Sequence, residues 1–556
     1  MKNAWRSPGA GAALIILLTL VAYLPAMRGG FVFDDETLIV NNPMVKAGDG
    51  LYRFWFTTEA PDYYPLTWSL WWTEWRLWGA NAGGYHVVNV LLHAINSVLV
   101  WMILRRLKIP GAWLAGLVFA VHPVNVATVA WISEQKNTLS MLFFLAAILS
   151  YLRFDEESRW KWYADSLAAF LLALLSKTAV VMLPVVLLGC AWWRHAEVRR
   201  KDVWRSVPFF ALSLALGLAT VWFQYNRVLK GSAVRTDGFL GRLAVAGYAV
   251  WFYLYKALLP LNLSAVYSRW DIRTSLWASY LPGALLLGCL TFFWWKRKTW
   301  GRPMLFALGY FVVTLFPVLG FFDQDFYQYS FVSDHWQYFS IIGVIGLAVA
   351  AGVTIGRRLC GQRRSWGAAP VVVVLMALGA GTWRRGVVYA SEETLWQDTV
   401  AKNPDGWMPH YNLGTCLLQA GRLEAAIAQL EHAARIRPDL AKVQSNLGIA
   451  LAQAGRVQEA VMHFERALRI DPNLAEAHGN LGHALMLLGD EPKAIEHWEQ
   501  ALRIQPDNAE IQYDLGLALE QAGRPADALE HYQQALQLKP DYAEARNGLA
   551  RLRAPR

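Results

Sequence analysis

The sequence predicts an all-α protein in which a polytopic membrane helix bundle is followed by an α-solenoid. Long apolar stretches fill residues 1–390, and 55% of the 556 residues are hydrophobic, a share that favours a membrane protein over a soluble one. From residue 391 the chain turns polar and repeats at a regular interval. These two observations predict a membrane domain, a capping helix, four helical repeats and a partial fifth repeat, at residues 1–390, 391–404, 405–540 and 541–556.

Twelve segments are candidate membrane helices, which need ~20 mostly apolar residues. They lie at residues 11–27, 85–104, 111–131, 138–152, 164–176, 178–193, 206–225, 241–258, 278–295, 302–321, 336–356 and 367–383. The basic clusters described in the next paragraph place the N-terminus inside the cell and the C-terminus outside. This arrangement requires an odd number of crossings, so at least one of the twelve segments does not span. The weakest are the short pair 164–176 and 178–193, and 241–258. We predict that 241–258 is the exception, because no basic cluster marks a cytoplasmic end beside it.

Lysine and arginine collect in five clusters, and short basic loops stay on the cytoplasmic side of a membrane. The clusters are Lys2/Arg6, Arg105/Arg106/Lys108, Arg194/Arg199/Arg200/Lys201/Arg205, Lys296/Arg297/Lys298 and Arg357/Arg358/Arg363/Arg364. This rule places the N-terminus in the cytoplasm. The loop 28–84, the acidic stretch from Asp323 to Asp334 and the repeats then lie outside.

The net charge is unevenly distributed between the two parts of the chain. Residues 1–390 carry 36 Lys and Arg against 19 Asp and Glu, whereas residues 391–556 carry 16 against 23. A basic excess in a membrane domain comes from its cytoplasmic loops, so it does not indicate nucleic-acid binding. The cysteines have neither the spacing of a disulfide framework nor that of a metal site. They are Cys190, Cys289, Cys360 and Cys416.

Prolines recur at one fixed interval in the C-terminal part, and this interval matches the period of about 34 residues that is typical of tetratricopeptide (TPR) repeats. They are Pro404, Pro438, Pro472, Pro506 and Pro540. Leu-Gly pairs such as Leu447-Gly448 mark the first helix of each repeat, and Phe464 is a large core residue of a second helix. Trp396 lies one repeat length before Leu430, so residues 391–404 are predicted to cap the array as a lone second helix. The concave groove of such an array normally binds a peptide, which predicts a protein partner.

Three acids, Asp34, Asp35 and Glu36, follow the first apolar segment. Acids in an outer loop are either simply solvated or chemically active. The aromatic flanks favour activity here, because they hold the pair at the membrane interface and partly desolvate it. Desolvation raises the pKa of a carboxylate toward the range that suits a general base.

A row of tryptophans occupies one face of a predicted helix in the same loop. Its members are Trp68, Trp71, Trp72 and Trp75, and Trp78 extends it. We expect this helix to lie in the bilayer interface, where tryptophan is enriched. A platform for sugar or prenyl chains is an alternative that is compatible with this position.

Other ionisable side chains lie at the predicted outer ends of apolar segments, which makes them functional candidates. His86, Asn89 and His93 share one helix face, where two histidines without a third ligand favour packing and hydrogen bonding over metal binding. The remaining candidates are His122, Glu134, Lys136, Lys177 and the pair Asp334-His335.

Several short motifs follow one another along the chain. They are Phe33-Asp34-Asp35, Tyr64-Pro65-Leu66-Thr67, His86 with Asn89 and His93, His122-Pro123, Val129-Ala130-Trp131-Ile132, Leu175-Ser176-Lys177, Pro260 with Asn262-Leu263-Ser264, and Leu395-Trp396 with Asp398-Thr399. In this order they resemble the transmembrane and TPR-containing O-mannosyltransferase family, specifically its bacterial relatives. The resemblance implies a C-type glycosyltransferase fold, a polyprenyl-phosphate-linked sugar as donor, and a bacterial inner membrane with the repeats on the outer face.

The resemblance also implies roles for individual residues. Asp34 or Asp35 would remove the proton from a Ser or Thr hydroxyl as its oxygen attacks the anomeric carbon, which inverts the configuration. Residues implied to bind the substrate or the lipid phosphate are Lys177, His335, Lys136, His122, Glu134 and His86. The TPR groove would hold the acceptor protein. No cofactor is implied, although a divalent metal is left open, and Tyr64 and His335 stand where the family commonly has arginine.

Two other functional classes fit parts of the sequence. A non-enzymatic scaffold would use the membrane half as an anchor and the TPR groove as its working surface, but an anchor does not need twelve apolar segments with ionisable residues gathered on one face. A transporter ranks lower still, because no charged residue recurs along the middle of several segments as an ion path requires.

Overall fold

Helices account for the regular structure throughout the described part of the chain, which comprises residues 8–229, 234–235, 237–360 and 368–553 of a computed structural model. No strand occurs in these ranges, so the predicted all-α class is confirmed. The basic residues Lys2, Arg6, Arg363 and Arg364 of the predicted clusters lie outside them. The chain divides into two compact units, residues 1–402 and residues 403–556.

The first unit is built from helices of very different length. In chain order they are α1 Pro8–Ala22, α2 Pro43–Lys46, α3 Gly50–Phe56, α4 Pro65–Trp78, α5 Ala82–Arg106, α6 Ala112–Ala120, α7 Val126–Val129, α8 Gln135–Glu157, α9 Trp160–Ser176, α10 Leu183–His195, α11 Arg200–Phe223, α12 Phe239–Leu258, α13 Leu281–Trp295, α14 Gly301–Leu315, α15 Ile341–Cys360, α16 Ala368–Val388 and α17 Glu392–Lys402. Short 3₁₀ turns at Pro123–Asn125, Ile132–Glu134 and Asp334–Gln337 adjoin or contain predicted site residues.

Among the described residues, eight helical segments are long and apolar enough to cross a membrane, or nine if the bent pair Ala112–Ala120 and Pro123–Val129 forms one span. Three predicted segments are not among them. Helix α1 is apolar and has 15 residues within the described part of the chain, α9 has 17, and α12 carries Arg242 and Lys256. Helix α12 corresponds to the segment 241–258 that was predicted not to span. The number and sidedness of the crossings remain predictions.

Helix α5 presents a polar face to the helix bundle, and this face holds the irregular chain that follows α6. Asn89 Nδ2 donates hydrogen bonds to the carbonyl oxygens of Thr128 (3.0 Å) and Val129 (2.9 Å). Two turns further along α5, Asn96 Nδ2 donates to the carbonyl oxygen of Thr138 (2.8 Å). Irregular backbone at membrane depth needs such partners, because no water is available there to replace the lost helical hydrogen bonds.

The predicted outer loop, residues 28–84, contains an aromatic core between α3 and α4. Trp68 and Trp71 are buried, with Trp68 stacked on Phe54 at 5.1 Å and Trp71 Nε1 donating to Gln135 Oε1 (2.9 Å). The prediction that the tryptophan row faces the bilayer is therefore wrong for Trp68 and Trp71. Helical spacing shows that residues share a face, but it does not show whether protein or lipid covers that face.

Helix α17 belongs to the first unit. Its Trp396 is buried, and its ring meets Phe33 edge to face at a centroid distance of 5.2 Å. Lys402 Nζ at the end of the helix donates to the carbonyl oxygen of Leu263 (2.7 Å). The role of residues 391–404 as a cap of the array stays a prediction.

The second unit consists of helix pairs in the predicted TPR register. They are α18 Trp407–Gln419 with α19 Leu423–Ile436, α20 Ala441–Gln453 with α21 Val457–Ile470, α22 Ala475–Leu487 with α23 Glu491–Ile504, α24 Ala509–Gln521 with α25 Pro525–Leu538, and then the single helix α26 Ala543–Arg553. Their buried faces form one continuous core, in which the large residues of the second helices are buried.

Close packing within each pair depends on the glycine of the first helix. A methyl group added at Gly448 would lie 2.7 Å from the Phe464 ring, and one at Gly482 would lie 2.5 Å from Trp498 Nε1. Such distances leave no room for a side chain. The predicted function of these glycines, which is to let two helices approach closely, is confirmed.

We expect Gly448→Ala to destabilise the array by about 1–3 kcal/mol, because an added methyl overpacks a filled core. Hydrogen exchange of the full-length protein should show faster exchange across α20 and α21. Met462→Ala is the matched control, since Met462 is 57% exposed on α21 and its truncation removes little packing. Equal exchange in the two variants would contradict the packing role of Gly448.

Candidate active site

The segment that follows α1 places two aspartates against the turn Ile132–Glu134. Asp35 is fully buried and accepts two backbone hydrogen bonds, from the N–H of Val32 (2.9 Å) and from the N–H of Ser133 (2.6 Å). Asp34 is half-buried, and its Oδ1 accepts a hydrogen bond from the Ser133 hydroxyl (2.5 Å). Ser133 thus binds both carboxylates.

Burial makes both aspartates weaker acids than usual. It raises the pKa of Asp34, although the nearby positive charge of Lys136 and the Ser133 hydroxyl oppose this. Burial and the neighbouring Asp34 carboxylate raise the pKa of Asp35 well above its ordinary value. A raised pKa brings a carboxylate closer to the proton affinity that a general base needs near neutral pH.

Glu134 is the centre of a cluster of charged groups directly beside this pair. Its carboxylate oxygens lie 3.1 Å from Lys136 Nζ, 3.3 Å from Lys177 Nζ and 3.7 Å from His335 Nε2. Asn137 Nδ2 donates a further hydrogen bond to it. The Glu134 side chain is 3% exposed, whereas Lys136 and Lys177 keep 17% and 14% of theirs exposed. The two lysine side chains are therefore more accessible than the carboxylate side chain that pairs with them.

Lys177 reaches this position because α9 ends at Ser176 and the backbone of Lys177 is extended. The Thr67 hydroxyl donates to the carbonyl oxygen of Ser176 (2.8 Å), and the Ser140 hydroxyl donates to that of Lys177 (3.2 Å). These bonds give partners to carbonyl groups at the end of the helix. The predicted site residues Asp34, Asp35, Glu134, Lys136, Lys177 and His335 are thus brought together.

His335 lies in the cluster as a neutral group. Burial lowers its pKa to about 3, despite the attraction of the Glu134 carboxylate. Its ring meets the Trp131 ring edge to face at 5.3 Å, and its Nδ1 lies 2.8 Å from the Ser333 hydroxyl oxygen. His335 can therefore offer a hydrogen bond to a ligand but no formal charge at neutral pH.

His86 and His122, which were also predicted to bind substrate, each lie against a backbone carbonyl group. His86 Nε2 lies 3.2 Å from the carbonyl oxygen of Gly30, and His122 Nε2 lies 3.2 Å from that of Ala257. Both side chains are buried. Neither histidine is among the ion-pair partners of Glu134, and their role in substrate binding stays a prediction.

Asp62 is a charged member of the site that the sequence did not single out. Its Oδ1 accepts a hydrogen bond from Gln224 Nε2 (2.5 Å). Burial raises its pKa, and the charges of Lys136 and Lys177 pull that pKa back down. The only sequence signal is its place just before Tyr63 in the Tyr-Tyr-Pro-Leu motif.

Glu392 is a second contributor that sequence reasoning missed. Phe33, directly before Asp34, has a left-handed backbone with φ of 55°, and its N–H donates to Glu392 Oε1 (2.8 Å). Its ring packs between Trp131 (5.3 Å) and Trp396 (5.2 Å). Helix α17 therefore fixes the backbone from which Asp34 extends, although 359 residues separate Phe33 from Glu392 along the chain.

No three His, Cys, Asp or Glu side chains converge in a way that would hold a metal ion within residues 8–229, 234–235, 237–360 and 368–553. The oxygen and nitrogen groups at the site are instead arranged as ion pairs and hydrogen bonds. The arrangement places a partly exposed aspartate near two partly exposed lysine side chains, which suits proton removal next to a negatively charged leaving group.

Residues 65–225 match the family described as Dolichyl-phosphate-mannose-protein mannosyltransferase, and residues 408–473 and 473–541 match Tetratricopeptide repeat. Protein O-mannosyl-transferase F38B6.6 of Caenorhabditis elegans is 24% identical over 462 residues, which cover 79% of this chain and 64% of that protein. Protein O-mannosyl-transferase TMTC3 of Homo sapiens is 23% identical over 477 residues, with 77% and 51% covered. These matches identify the chain as a relative of the TPR-containing O-mannosyl-transferases.

The similarity to these proteins confirms the resemblance seen in the sequence, and the chain is a membrane protein related to glycosyltransferases. It spans between half and two thirds of the length of these two relatives. The matched membrane segment includes Glu134, Lys136 and Lys177 and begins after the aspartate pair. Among solved structures, the crystal structure of MamA covers 29% of this chain and 94% of its own, with 23% identity and a TM-score of 0.27.

Glu74 on α4 forms a hydrogen bond with Gln135, which adjoins the ion cluster of Glu134. It is buried, its Oε1 accepts a hydrogen bond from Gln135 Nε2 (2.9 Å), and its Oε2 has no partner within the described residues. Burial raises the pKa of Glu74 to about 8. Because Gln135 directly follows Glu134, the protonated form of Glu74 helps to fix the centre of the ion cluster.

We expect Glu74→Gln to remove a pH-dependent loss of stability. The folded-state pKa of about 8 lies above the ordinary value of 4.5, so the contribution of Glu74 to stability is complete below about pH 4.5 and is lost as pH rises through 8. The Tm of the variant in detergent should match the wild type at pH 5 and exceed it by a few degrees at pH 9. Glu36→Gln, at an exposed acid of the same loop, is the control. A constant Tm difference across pH would show that Glu74 does not titrate as described.

Proposed function

We propose that this protein is an inverting glycosyltransferase that moves a hexose, such as mannose, from a polyprenyl phosphate to a Ser or Thr hydroxyl of a protein acceptor. The observation that carries the proposal is the contact of the Asp34–Asp35 pair with Ser133, directly before the Glu134 cluster that holds two partly exposed lysines. The similarity to O-mannosyl-transferases supplies the class of reaction. The acidic pair supplies a base for the acceptor hydroxyl, and the lysines supply positive charge for the leaving phosphate.

In the proposed step, the acceptor oxygen attacks the anomeric carbon of the sugar. The acceptor O–H bond breaks and its proton passes to an aspartate, while the bond from the anomeric carbon to the phosphate oxygen breaks with both electrons remaining on the phosphate. The products are the glycosylated acceptor and polyprenyl phosphate. A single displacement of this kind inverts the anomeric configuration.

Asp34 fits the role of the base better than Asp35. Both oxygens of Asp35 accept backbone N–H groups, and the side chain is fully buried. Asp34 is half-buried and accepts the Ser133 hydroxyl through Oδ1. Asp35 is then a positioning residue that ties the loop to the turn of Ser133, and Asp34 is the group that meets the acceptor.

Lys136 and Lys177 are the proposed ligands of the phosphate. Each keeps part of its side chain accessible while Glu134 fixes the ammonium group from the buried side. A fixed cation next to the leaving oxygens stabilises the charge that develops as the bond to the sugar breaks. His335, neutral and 3.7 Å from Glu134, would add a hydrogen bond at the same place.

The TPR array is the proposed arm for the acceptor, and the proposed location is a bacterial inner membrane with the array and the aspartates on the outer face. Support for the arm comes from the array itself. First helices of neighbouring repeats contact one another where α18 meets α20, α20 meets α22 and α24 meets α26. The concave surfaces of TPR arrays bind extended peptides.

Transfer from a polyprenyl-phosphate hexose to an acceptor peptide, measured with the full-length protein in liposomes, tests the assignment of the base. We expect Asp34→Asn to lower kcat by about 10²–10⁴ with little change in Tm, because an amide cannot take the proton. Asp35→Asn should lower both kcat and Tm, since one of its oxygens becomes an N–H donor that faces a backbone N–H. Glu36→Gln should keep full activity. Wild-type turnover in Asp34→Asn would refute the assignment.

Glu392 gives a separate test of the loop geometry. We expect Glu392→Ala to lower kcat roughly tenfold with the KM for the donor unchanged, because the loop that carries Asp34 loses one anchor. Glu392→Gln should restore kcat, since its amide oxygen still accepts the Phe33 N–H. Glu393→Ala is the matched control, because Glu393 lies on the same helix and accepts a hydrogen bond from Gln397 of that helix. Similar losses in Glu392→Gln and Glu392→Ala would contradict this positioning role.

A further inference from the structure

A cavity that is separate from the candidate active site lies among the membrane helices of the first unit. It has a volume of about 330 Å³ and is lined by α5, α8, α10, α14 and α15, with one side open to the surface of the bundle. Its lining is almost entirely hydrocarbon and includes Val100, Leu145, Cys190, Phe306 and Ile342. A cavity of this volume is at the lower end of the range of sites that hold small ligands.

The cavity is far from the aspartates and lysines of the candidate active site. Helix α5 contacts the loop of Asp34 near its beginning, where His86 meets Gly30. The same helix lines the cavity from Val100 to Leu107. Fourteen residues separate His86 from Val100, which corresponds to about 21 Å along a helix. The two sites therefore lie toward opposite ends of α5.

An unfilled apolar space of this size is unfavourable in a membrane protein. Side chains around a void lose dispersion contacts, and protein interiors are otherwise close-packed. Water gains nothing there, because the lining offers it almost no hydrogen-bonding partners. A hydrocarbon chain restores the missing contacts, and in a bilayer the acyl chains of lipids are the hydrocarbon at hand.

Cations that are not neutralised flank this end of the bundle. Arg105 and Lys108 adjoin the lining residues Leu104 and Leu107, are exposed, and form no ion pair within the described part of the chain. Arg302 precedes the lining residue Pro303. The acids nearby are already paired, since Asp155 and Glu156 bind other basic residues. These are Arg106, Arg194, His195 and Arg199.

Arg302 lies beside the cavity, and only part of its guanidinium group has hydrogen-bonding partners. Its Nη2 donates to the carbonyl oxygens of Trp192 (3.0 Å) and Trp193 at the end of α10, and its buried Nε has no partner within the described residues. Trp193 stacks on Phe306 at 5.0 Å, and its Nε1 donates to the carbonyl oxygen of Leu107 (2.9 Å). A tryptophan whose ring packs on an apolar side chain while its N–H donates to a polar group is typical of the level of lipid headgroups.

We propose that this cavity binds one acyl chain of an anionic glycerophospholipid, whose phosphate lies at Arg105, Lys108 and Arg302. Basic pockets between membrane helices bind anionic headgroups through the same combination of charge and apolar surface. The position of the cavity favours a phospholipid over the polyprenyl carrier as its occupant. The proposed phosphate ligands of the carrier, Lys136 and Lys177, lie toward the other end of the helices.

The test uses the full-length protein in detergent after lipid has been removed. Phosphatidylglycerol, phosphatidylcholine or polyprenyl phosphate is added back, and bound lipid is measured by native mass spectrometry together with Tm. We expect phosphatidylglycerol to bind with one-to-one stoichiometry and to raise Tm saturably, with at least tenfold weaker binding of phosphatidylcholine.

Two glycines of α15 provide a matched pair of variants. Gly346 lines the cavity, and a Cβ there would lie 3.6 Å from Leu104, so Gly346→Leu fills the space. Gly352 has no atom within 4 Å of an added Cβ and does not line the cavity, so Gly352→Leu is the control. We expect the first variant to bind phosphatidylglycerol at least tenfold more weakly and the second to bind it as the wild type does.

Charge removal gives a second measurement that does not depend on filling the cavity. Arg105→Gln combined with Lys108→Gln should reduce the preference for phosphatidylglycerol over phosphatidylcholine at least severalfold, and these exposed side chains are not needed for folding. Equal binding of the two phospholipids by the wild type would overturn the headgroup assignment. Equal binding by the two glycine variants would overturn the site. Displacement of phosphatidylglycerol by polyprenyl phosphate at lower concentration would identify the carrier tail as the occupant and overturn the proposal.

Discussion

The candidate active site depends on the hydrogen bonds that Ser133 makes to two aspartates. Its N–H donates to Asp35 and its hydroxyl donates to Asp34, so a single residue fixes both carboxylates of a loop that lies far earlier in the chain. The next residue, Glu134, gathers Lys136, Lys177 and His335. Three features of the site, namely the carboxylates, the ammonium groups and their spacing, therefore follow from one short turn of the chain.

That turn is stable only because the helices around it provide hydrogen-bonding partners. Between α6 and α8 the chain forms only short helical turns, and buried backbone groups that lack a helical partner cost free energy unless they are paired otherwise. Asn89 on α5 donates to two carbonyl oxygens of this stretch, and Gln135 is held by Trp71 and Glu74 of α4. Asn89 on α5 and Trp71 on α4 thus have the same structural role. They hold an irregular segment in place where membrane helices would otherwise be continuous.

The sequence predicted those parts of the molecule that are written in local patterns. A constant repeat interval is enough to predict the TPR register, because every repeat makes the same contact between a glycine and a large side chain, as Gly448 and Phe464 do. The acidic pair was visible because the residues adjoin each other and aromatic neighbours. The segments 164–176 and 241–258 were harder, since a short or charged helix can lie inside a membrane protein without crossing on its own.

The parts that could not be predicted depend on contacts between distant residues. Glu392 accepts a hydrogen bond from Phe33 across 359 positions, and the fold of its loop brings Asp62 within the electrostatic influence of the two lysines. Asp62 is marked only by its position just before Tyr63, and no local pattern marks Glu392. The burial of Trp68 and Trp71 was missed for a related reason, because their spacing is equally compatible with a face against lipid and a face against Phe54 and Gln135.

The charges of the site also bear on how the proposed reaction proceeds. A sugar phosphodiester carries one negative charge and the leaving phosphomonoester carries about two at neutral pH, so the leaving group gains one negative charge during the step. At the same moment Asp34 takes up the proton of the acceptor hydroxyl and loses its own negative charge. The total charge of the site is therefore unchanged, and the field of Lys136 and Lys177, no longer opposed by Asp34, acts on the phosphate. Transfer of the proton to a carboxylate close to Lys136 thus strengthens the stabilisation of the leaving group at the moment when it is needed.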